Sequence, residues 1–320
     1  MKRYFITGGA GFIGSHLVDR LMAEGNSVTV YDNLTSGREE FLSHHIDSPL
    51  FRLIKNDLLD LDGLLETLKG HQVVFHLSAN PDARWGIQDT ALDLRQETTA
   101  TYNVMEAMRR NGIKKIVFSS SGTIYGETPM IPLPEDYGPL LPISLYGAGK
   151  LASEGLISAF CNTFDMQAWI FRFSNIVGSR TTHGVIFDFI NKLKKNVKEL
   201  EILGDGTQRK PYLHVKDCVD GMLYAFRNSD ERVNVFNLGP DSTTDVTTIA
   251  RVIVEALGLR DIVFKYTGGK RGWPGDVPQV RFNVDKMKRL GWEANLTSDE
   301  AVKKALEDTI NSKLLSGQRI

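Results

Sequence analysis

Near the start of the chain, the stretch Thr7-Gly-Gly-Ala-Gly-Phe-Ile-Gly14 constrains the fold more than any other feature. It follows an apolar run at residues 4–7 and opens a segment of helical periodicity over 12–24. Gly8, Gly11 and Gly14 let a strand turn tightly into a helix and allow close approach to the backbone. The helix N-terminus then presents amide donors and the positive end of its dipole, a setting that suits a pyrophosphate. A glycine repeat alone is weak evidence. Here an acidic residue about twenty positions on, Asp32, closes a second apolar run at 28–31. Its carboxylate is placed to accept both ribose hydroxyls of an adenosine and to repel a 2′-phosphate, which selects NAD over NADP. Asp57 follows a third run at 51–54 and is placed either to meet the adenine edge or to cap its own loop.

The rhythm continues. Apolar runs at 73–77, 115–118 and 168–173 alternate with helical patterns at 61–69, 93–111 and 146–164. Most of these strands lack polar alternation, so they form a parallel sheet covered on both faces. The expected fold class is α/β, a Rossmann-type doubly wound parallel sheet. Beyond residue 175 the pattern becomes mixed, with helices at 187–194, 215–226, 247–257 and 297–311 and strands at 200–203, 233–236 and 262–266. That half reads as a smaller mixed α/β domain for substrate. The expected division is 1–175 for the NAD-binding unit and 176–320 for the substrate unit, with part of the later chain returning to the first. A proline-rich stretch, 129–142, reads as a surface connection.

Composition narrows the partners. A net charge of −1 gives no electrostatic case for nucleic acid or an anionic membrane, and the basic run Lys192-Leu-Lys-Lys195 reads as a solvated helix face. Cys161 and Cys218 lie far apart and belong to no ligand-spaced cluster, so neither a disulfide framework nor a structural zinc is expected. No stretch approaches the ~20 apolar residues of a spanning helix. A soluble cytoplasmic protein is expected. His44-His45, His71 and His76 show no ligand spacing and no accompanying carboxylate cluster, so no metal is expected, and there is no P-loop.

The second informative feature is Tyr146-Gly-Ala-Gly-Lys150. Side chains at i and i+4 share a helix face, which sets an ammonium beside a phenol. A neighbouring positive charge favours phenolate, so Tyr146 is expected to act as a base well below its ordinary pKa of about 10. Moving it to near 7 takes ~4 kcal/mol of differential stabilisation.

With these motifs stand Tyr31-Asp-Asn-Leu34, Phe118-Ser-Ser-Ser-Gly-Thr-Ile-Tyr-Gly126, Arg172-Phe-Ser-Asn175, Gly204-Asp-Gly206 through His214, and Trp273-Pro-Gly-Asp276. Together they resemble the extended short-chain dehydrogenase/reductase family, and within it the nucleotide-sugar 4-epimerases, over nearly the whole chain. The resemblance implies that Phe12, Ile13, Asp32, Asn33, Asp57, Leu58, Leu77 and Ala79 line NAD, with Phe173 near the nicotinamide. It implies that Ser121 and Thr123 touch the sugar hydroxyl being oxidised, that Tyr146 is the base, and that Lys150 holds the nicotinamide ribose. Asn175, His183, Arg209, Lys210 and Asp276 are the implied substrate contacts. The implied reaction is NAD-dependent 4-epimerisation of a UDP-sugar, UDP-glucose or UDP-galactose, through a 4-keto sugar. Alternatives are UDP-N-acetylglucosamine, UDP-glucuronate, and an NAD-binding sensor without turnover. Family members pair through the helices at 93–111 and 146–164, which implies a homodimer.

The departures from the family pattern are specific. Glu97 stands where these epimerases commonly carry Asn, and Pro81 where a lysine is common. Lys210 and Trp273 replace the two arginines of the diphosphate clamp, with Arg209 and Arg271 close by. Lysine neutralises phosphate but lacks the bidentate fork. Val280 replaces a bulky tyrosine of the hexose pocket, leaving room for a 2-N-acetyl group. Arg180 and His183 are placed either to hold their own loop or to meet a uronate carboxylate, the loop role being the commoner of the two. Ser120-Ser-Gly-Thr123 contains no carboxylate, which favours epimerisation over dehydration or decarboxylation.

Overall fold

The computed structural model describes residues 1–315. Strands and helices alternate through the first half: β1 (Arg3–Thr7), α1 (Phe12–Ala23), β2 (Ser27–Asp32), β3 (Phe51–Lys55), α2 (Leu61–Thr67), β4 (Val73–His76), α3 (Ala100–Arg110), β5 (Lys115–Ser121), α4 (Leu145–Phe164) and β6 (Gln167–Phe173). The later chain adds β7 (Asn175–Val177), α5 (Val185–Lys195), β8 (Glu199–Ile202), β9 (Arg209–Lys210), β10 (Tyr212–His214), α6 (Val215–Asn228), β11 (Val233–Leu238), β12 (Thr244–Asp245), α7 (Val246–Ala256), β13 (Val263–Tyr266), α8 (Asp285–Leu290) and α9 (Ser298–Leu315).

Seven strands form one parallel sheet in the order β11-β6-β5-β4-β1-β2-β3. The apolar runs foretold this, because a strand buried on both faces has no solvent side to make polar. The chain leaves β1 towards β2 and β3, then crosses to β4 on the other side. Between β1 and β4 the helices diverge to opposite faces, and such a switch point opens a crevice at the carboxyl ends of the strands. Thr7, Asp32, His76, Ser121 and Phe173 all end their strands at that edge.

Each face of the sheet has its own core. Leu17, Val18 and Leu21 of α1 and Met222 and Phe226 of α6 pack on one side against Ile6, Val30 and Phe75. Val104 and Met108 of α3 and Ile157 of α4 pack on the other against Phe5, Val74 and Ile116. Cys218 lies in the first core and Cys161 in the second. A third core joins Phe189 and Leu193 of α5, Ile249 and Ile253 of α7 and Val302 and Leu306 of α9.

Two segments differ from the sequence-based expectation. The helix read over 93–111 opens with a π-helical turn, Leu94–Thr99, before α3. The stretch 129–142 is more than a surface connection. Leu133 is buried, donates from its backbone to Arg281 and accepts from Asn283, both at 2.8 Å, and packs with Tyr125 and Phe282 in a fourth small core. Among the described residues, no helix is long and apolar enough to cross a membrane.

Candidate active site

The glycine cradle is shaped by the chain's own backbone. Gly8 holds φ +69°, and a Cβ on it would lie 2.7 Å from the Ser78 amide nitrogen. A Cβ on Gly14 would lie 2.1 Å from the Gly8 carbonyl oxygen. Gly11 differs, since its Cβ would approach just that oxygen, at 3.1 Å, and the space before it is open. No side chain caps α1, so the first-turn amides of Phe12, Ile13 and Gly14 lack helical acceptors.

Asp32 is buried at the end of β2, where its two carboxylate oxygens accept from the Ala10 and Leu34 amides at 3.0 and 2.9 Å. Burial pushes its pKa up while those bonds pull it down. Asn33 donates to Asp57 at 2.8 Å, so Asn33, Asp57 and the adjoining Leu58 stand together at the next strand end. Asp57 also caps its own loop by accepting from the Leu59 amide, so the loop-capping reading holds for one of its oxygens. Leu77 continues β4 beside Thr7, and Ala79 follows on the same loop.

At the reactive end, Thr123 donates its hydroxyl to Ser121 Oγ at 3.0 Å, and Ser144 caps α4 so that Tyr146 and Lys150 rise from its first turns. Tyr146 is half-buried and hydrogen-bonds to Ser121. Lys150 is buried, with Nζ 5.7 Å from the centre of the Tyr146 ring and 4.9 Å from that of Phe118. Phe173 pairs in register with Ser121 on the neighbouring strand.

The cations of the later chain are arranged differently. Arg209 and Lys210 are consecutive on β9 and so point to opposite sides. Arg209 is half-exposed and reaches Asp245 at 2.8 Å, while Lys210 pairs with the buried Asp276. Arg271 pairs with Glu127 and donates to the Asp276 carbonyl at 3.3 Å. Asn175 opens β7 through a backbone bond to Pro211, and His183 is partly buried beside Asp82 and Arg84.

A family profile described as "NAD dependent epimerase/dehydratase family" matches residues 4–239. A UDP-glucose 4-epimerase of Mycolicibacterium smegmatis is 33% identical over 95% of this chain and 97% of its own length. Among solved structures, a UDP-galactose 4-epimerase superposes with a TM-score of 0.87 at 40% identity, covering 98% of this chain and 99% of that one. MoeE5 in complex with UDP-glucuronic acid and NAD superposes with a TM-score of 0.85 at 31% identity, covering 97% and 99%.

The chain belongs to the NAD dependent epimerase/dehydratase family.

It is an enzyme of that family, and NAD is its cofactor. The residues present fit NAD. The open space before Gly11, the uncapped first turn of α1, the buried Asp32 carboxylate and the buried Lys150 ammonium fit the polar parts of the dinucleotide.

Among the protein's own groups the balance at Tyr146 runs upward rather than downward. Burial pushes the phenol above its ordinary value, and the carboxylates of Glu97 and Asp93 push it further, while the Ser121 bond pulls back. The lysine does not act alone, because Glu97 Oε2 lies 2.9 Å from Lys150 Nζ in a fully buried pair. Asp93 was missed in the sequence, although its spacing of four from Glu97 on a predicted helix marks a shared face. The reading of His44 and His45 is also corrected. Asp19 Oδ1 lies 2.8 Å from Nε2 of each, and Arg180 takes Asp19 Oδ2 at 2.8 Å. Arg180 is thereby engaged with α1, and a guanidinium already balances this carboxylate.

Proposed function

We propose that the protein interconverts the C4 epimers of a UDP-hexose, UDP-glucose and UDP-galactose, with Tyr146 as the acid–base group. The observation that carries this is the placement of Tyr146, Ser121, Thr123 and Lys150 around one point at the carboxyl edge of the sheet, beside the glycine cradle. NAD, when bound, supplies the acceptor and later the donor of a hydride at the sugar C4. Tyr146 Oη takes the proton of the 4-hydroxyl and returns it. Ser121 and Thr123 hydrogen-bond that oxygen while it is a ketone. Lys150, whose Nζ makes no aligned hydrogen bond inside the protein, has donors left for the cofactor ribose. Glu154, the carboxylate that reaches Ser120, is held by Arg172 through two bonds at 3.1 and 2.9 Å. It is therefore not free to remove a second proton from substrate, which favours epimerisation over elimination.

In this reading residues 1–175 bind the dinucleotide and 176–320 mainly bind the sugar nucleotide, with β11 completing the first unit's sheet. Asn175, Lys210 and Asp276 line the diphosphate end, with His183 nearby. A second substrate, UDP-N-acetylglucosamine, is favoured by Val280, which is partly buried against the small core that holds Tyr125 and Phe282 and is smaller than a tyrosine. Engagement of Arg180 by Asp19 counts against UDP-glucuronate. The buried thiols fit a reducing cytoplasm.

The test is NMR of the anomeric signals with NAD present and UDP-glucose, UDP-N-acetylglucosamine or UDP-glucuronate added separately. Wild type is expected to generate the 4-epimer of one of the first two. Tyr146→Phe should bind NAD as wild type does and lose at least ~10²-fold in turnover. Silence on all three, with NAD bound, transfers the case to another nucleotide sugar or to a sensor, whose output would survive Tyr146→Phe.

The same reading includes a homodimer. Leu94, Tyr102 and Phe164 are exposed along the helical segments at 94–110 and 145–164, large apolar groups that fit the same faces of a second copy. A dimeric mass in solution at micromolar concentration is expected, and a monomeric mass there would sink the idea.

A further inference from the structure

Inside the active site lies a buried charge arrangement that the acid–base scheme above does not use. Glu97 and Lys150 are fully buried, 2.9 Å apart, yet neither Glu97 Oε2 nor Lys150 Nζ has an aligned hydrogen-bond partner. Glu97 Oε1 accepts from the Asn80 amide at 2.9 Å, and Asn80 also donates its side-chain amide to Asp93 Oδ1 at 2.9 Å. Asp93 is buried as well, and its Oδ2 has no partner. One carboxylate thus contacts the ammonium, and a second, Asp93, lies within its field.

The local fold is built to admit them. Glu97 sits in the π-helical turn Leu94–Thr99, and such turns re-aim side chains at functional sites. Where that turn crosses α4, Gly149 leaves the room, since a Cβ there would lie 2.9 Å from Glu97 Cβ and 3.1 Å from the Asp93 carbonyl oxygen. A buried ion pair is poor as a source of stability, because desolvation offsets its attraction. Its place beside a reacting phenol gives it another use.

We propose that Glu97 is a positioning residue for Tyr146: it holds the Lys150 ammonium and offsets its charge, and so sets how readily the phenol gives up the proton it must lose before it can act as a base. The proposal rests on the acid–base reading of Tyr146. The charged and titratable groups around this point come from several elements. From α4 come Lys150 and Glu154, the latter neutralised by Arg172. From the π-helical turn and the residue before it come Glu97 and Asp93. From the loop after β4 comes Asp82, paired with Arg84. From β4 comes His76, held at about 3 by burial and by Lys150, hence neutral. It is bonded to Thr7 and Thr101. The two carboxyls that remain to oppose Lys150 at the phenol are Glu97 and Asp93, and both raise it; burial pushes their own pKa values up, while Lys150 and their bonds to Asn80 pull them back towards the charged form.

The experiment is a pH titration of the NAD-loaded protein labelled with carbon-13 at the tyrosine ring carbon bearing oxygen, with Tyr146→Phe assigning the signal. Glu97→Gln keeps the shape and the bond from Asn80 while removing the charge. Its Tyr146 midpoint is expected at least about one pH unit below wild type, a tenfold gain in phenolate at a given pH. The acid limb of the turnover profile should move down with it. An unchanged midpoint in folded Glu97→Gln overturns the proposal, whatever the variant does to turnover. Should that variant fail to fold, Asp93→Asn tests the same field. A smaller shift in the same direction supports the proposal, and no shift overturns it. The titration reads the phenol and not the sugar, so it stands apart from the NMR test of epimerisation.

Discussion

On the proposed reading, the two ends of the crevice solve the same problem, holding phosphate, in opposite ways. At the cofactor end the donors are backbone amides, fixed by glycines where an added Cβ would come within 2.1 and 2.7 Å of neighbouring backbone atoms. At the sugar-nucleotide end the donors are side-chain cations already paired with carboxylates, Lys210 with Asp276 and Arg271 with Glu127. The first end is preorganised and needs no charge to move. The second must exchange an internal partner for the ligand, so its affinity is a difference between two ion pairs.

The comparison breaks most sharply at Gly14. In Gly14→Ala the new methyl meets the Gly8 carbonyl and the Gly9 Cα, both backbone atoms that cannot rotate away. α1 must shift outward, and overpacking of this kind costs about 1–3 kcal/mol. We expect a lower unfolding temperature and NAD affinity reduced roughly 10- to 100-fold, because the amides that face the pyrophosphate move with the helix. Gly11→Ala is the control. It clashes mildly with the protein yet fills the open space, so NAD binding should fall while the unfolding temperature holds. Thermal unfolding with and without NAD separates the two. Equal loss of stability in both variants would mean that the cradle is not split between internal packing and ligand space.

This contrast also explains what could be read in the sequence. The sheet, the cradle, Asp32 and the Tyr146–Lys150 spacing depend on local patterns, periods of two and 3.6 and glycines at a turn, which survive in a string of letters. Even the π-helical turn at Leu94–Thr99 lay inside a helix whose existence was legible, while its extra residue was not. The charge partners were out of reach. Lys210 and Asp276 are 66 residues apart, and Arg271 and Glu127 are 144 apart. The 25-residue span between Asp19 and His44 hid a carboxylate that the histidines share. Glu97 was visible as a departure, but its consequence for Tyr146 required the crossing at Gly149 to be seen. Long-range pairing decides which carboxylate a cation faces, and no local period encodes it.

Lys210 gives the smaller and finer test. Removing it does two things at once: it takes a cation from the diphosphate and leaves Asp276, buried to 5% exposure, without its partner. An unpaired carboxylate facing a diphosphate repels it, so Lys210→Ala is expected to raise KM about tenfold or more, with kcat changed far less. Arg209→Ala removes a half-exposed pair with Asp245 on the opposite side of β9, and surface pairs of this kind contribute about 0–1 kcal/mol. Its KM should stay within about threefold of wild type. Lys210→Ala/Asp276→Asn then divides the effect. If the double variant regains most of the lost affinity, repulsion from Asp276 was the larger part; if it regains none, the direct contact of Lys210 with phosphate was. Equal KM values for Arg209→Ala and Lys210→Ala would instead place both residues outside the clamp or both within it. Either result would remove the distinction drawn here from the alternation of side chains along β9.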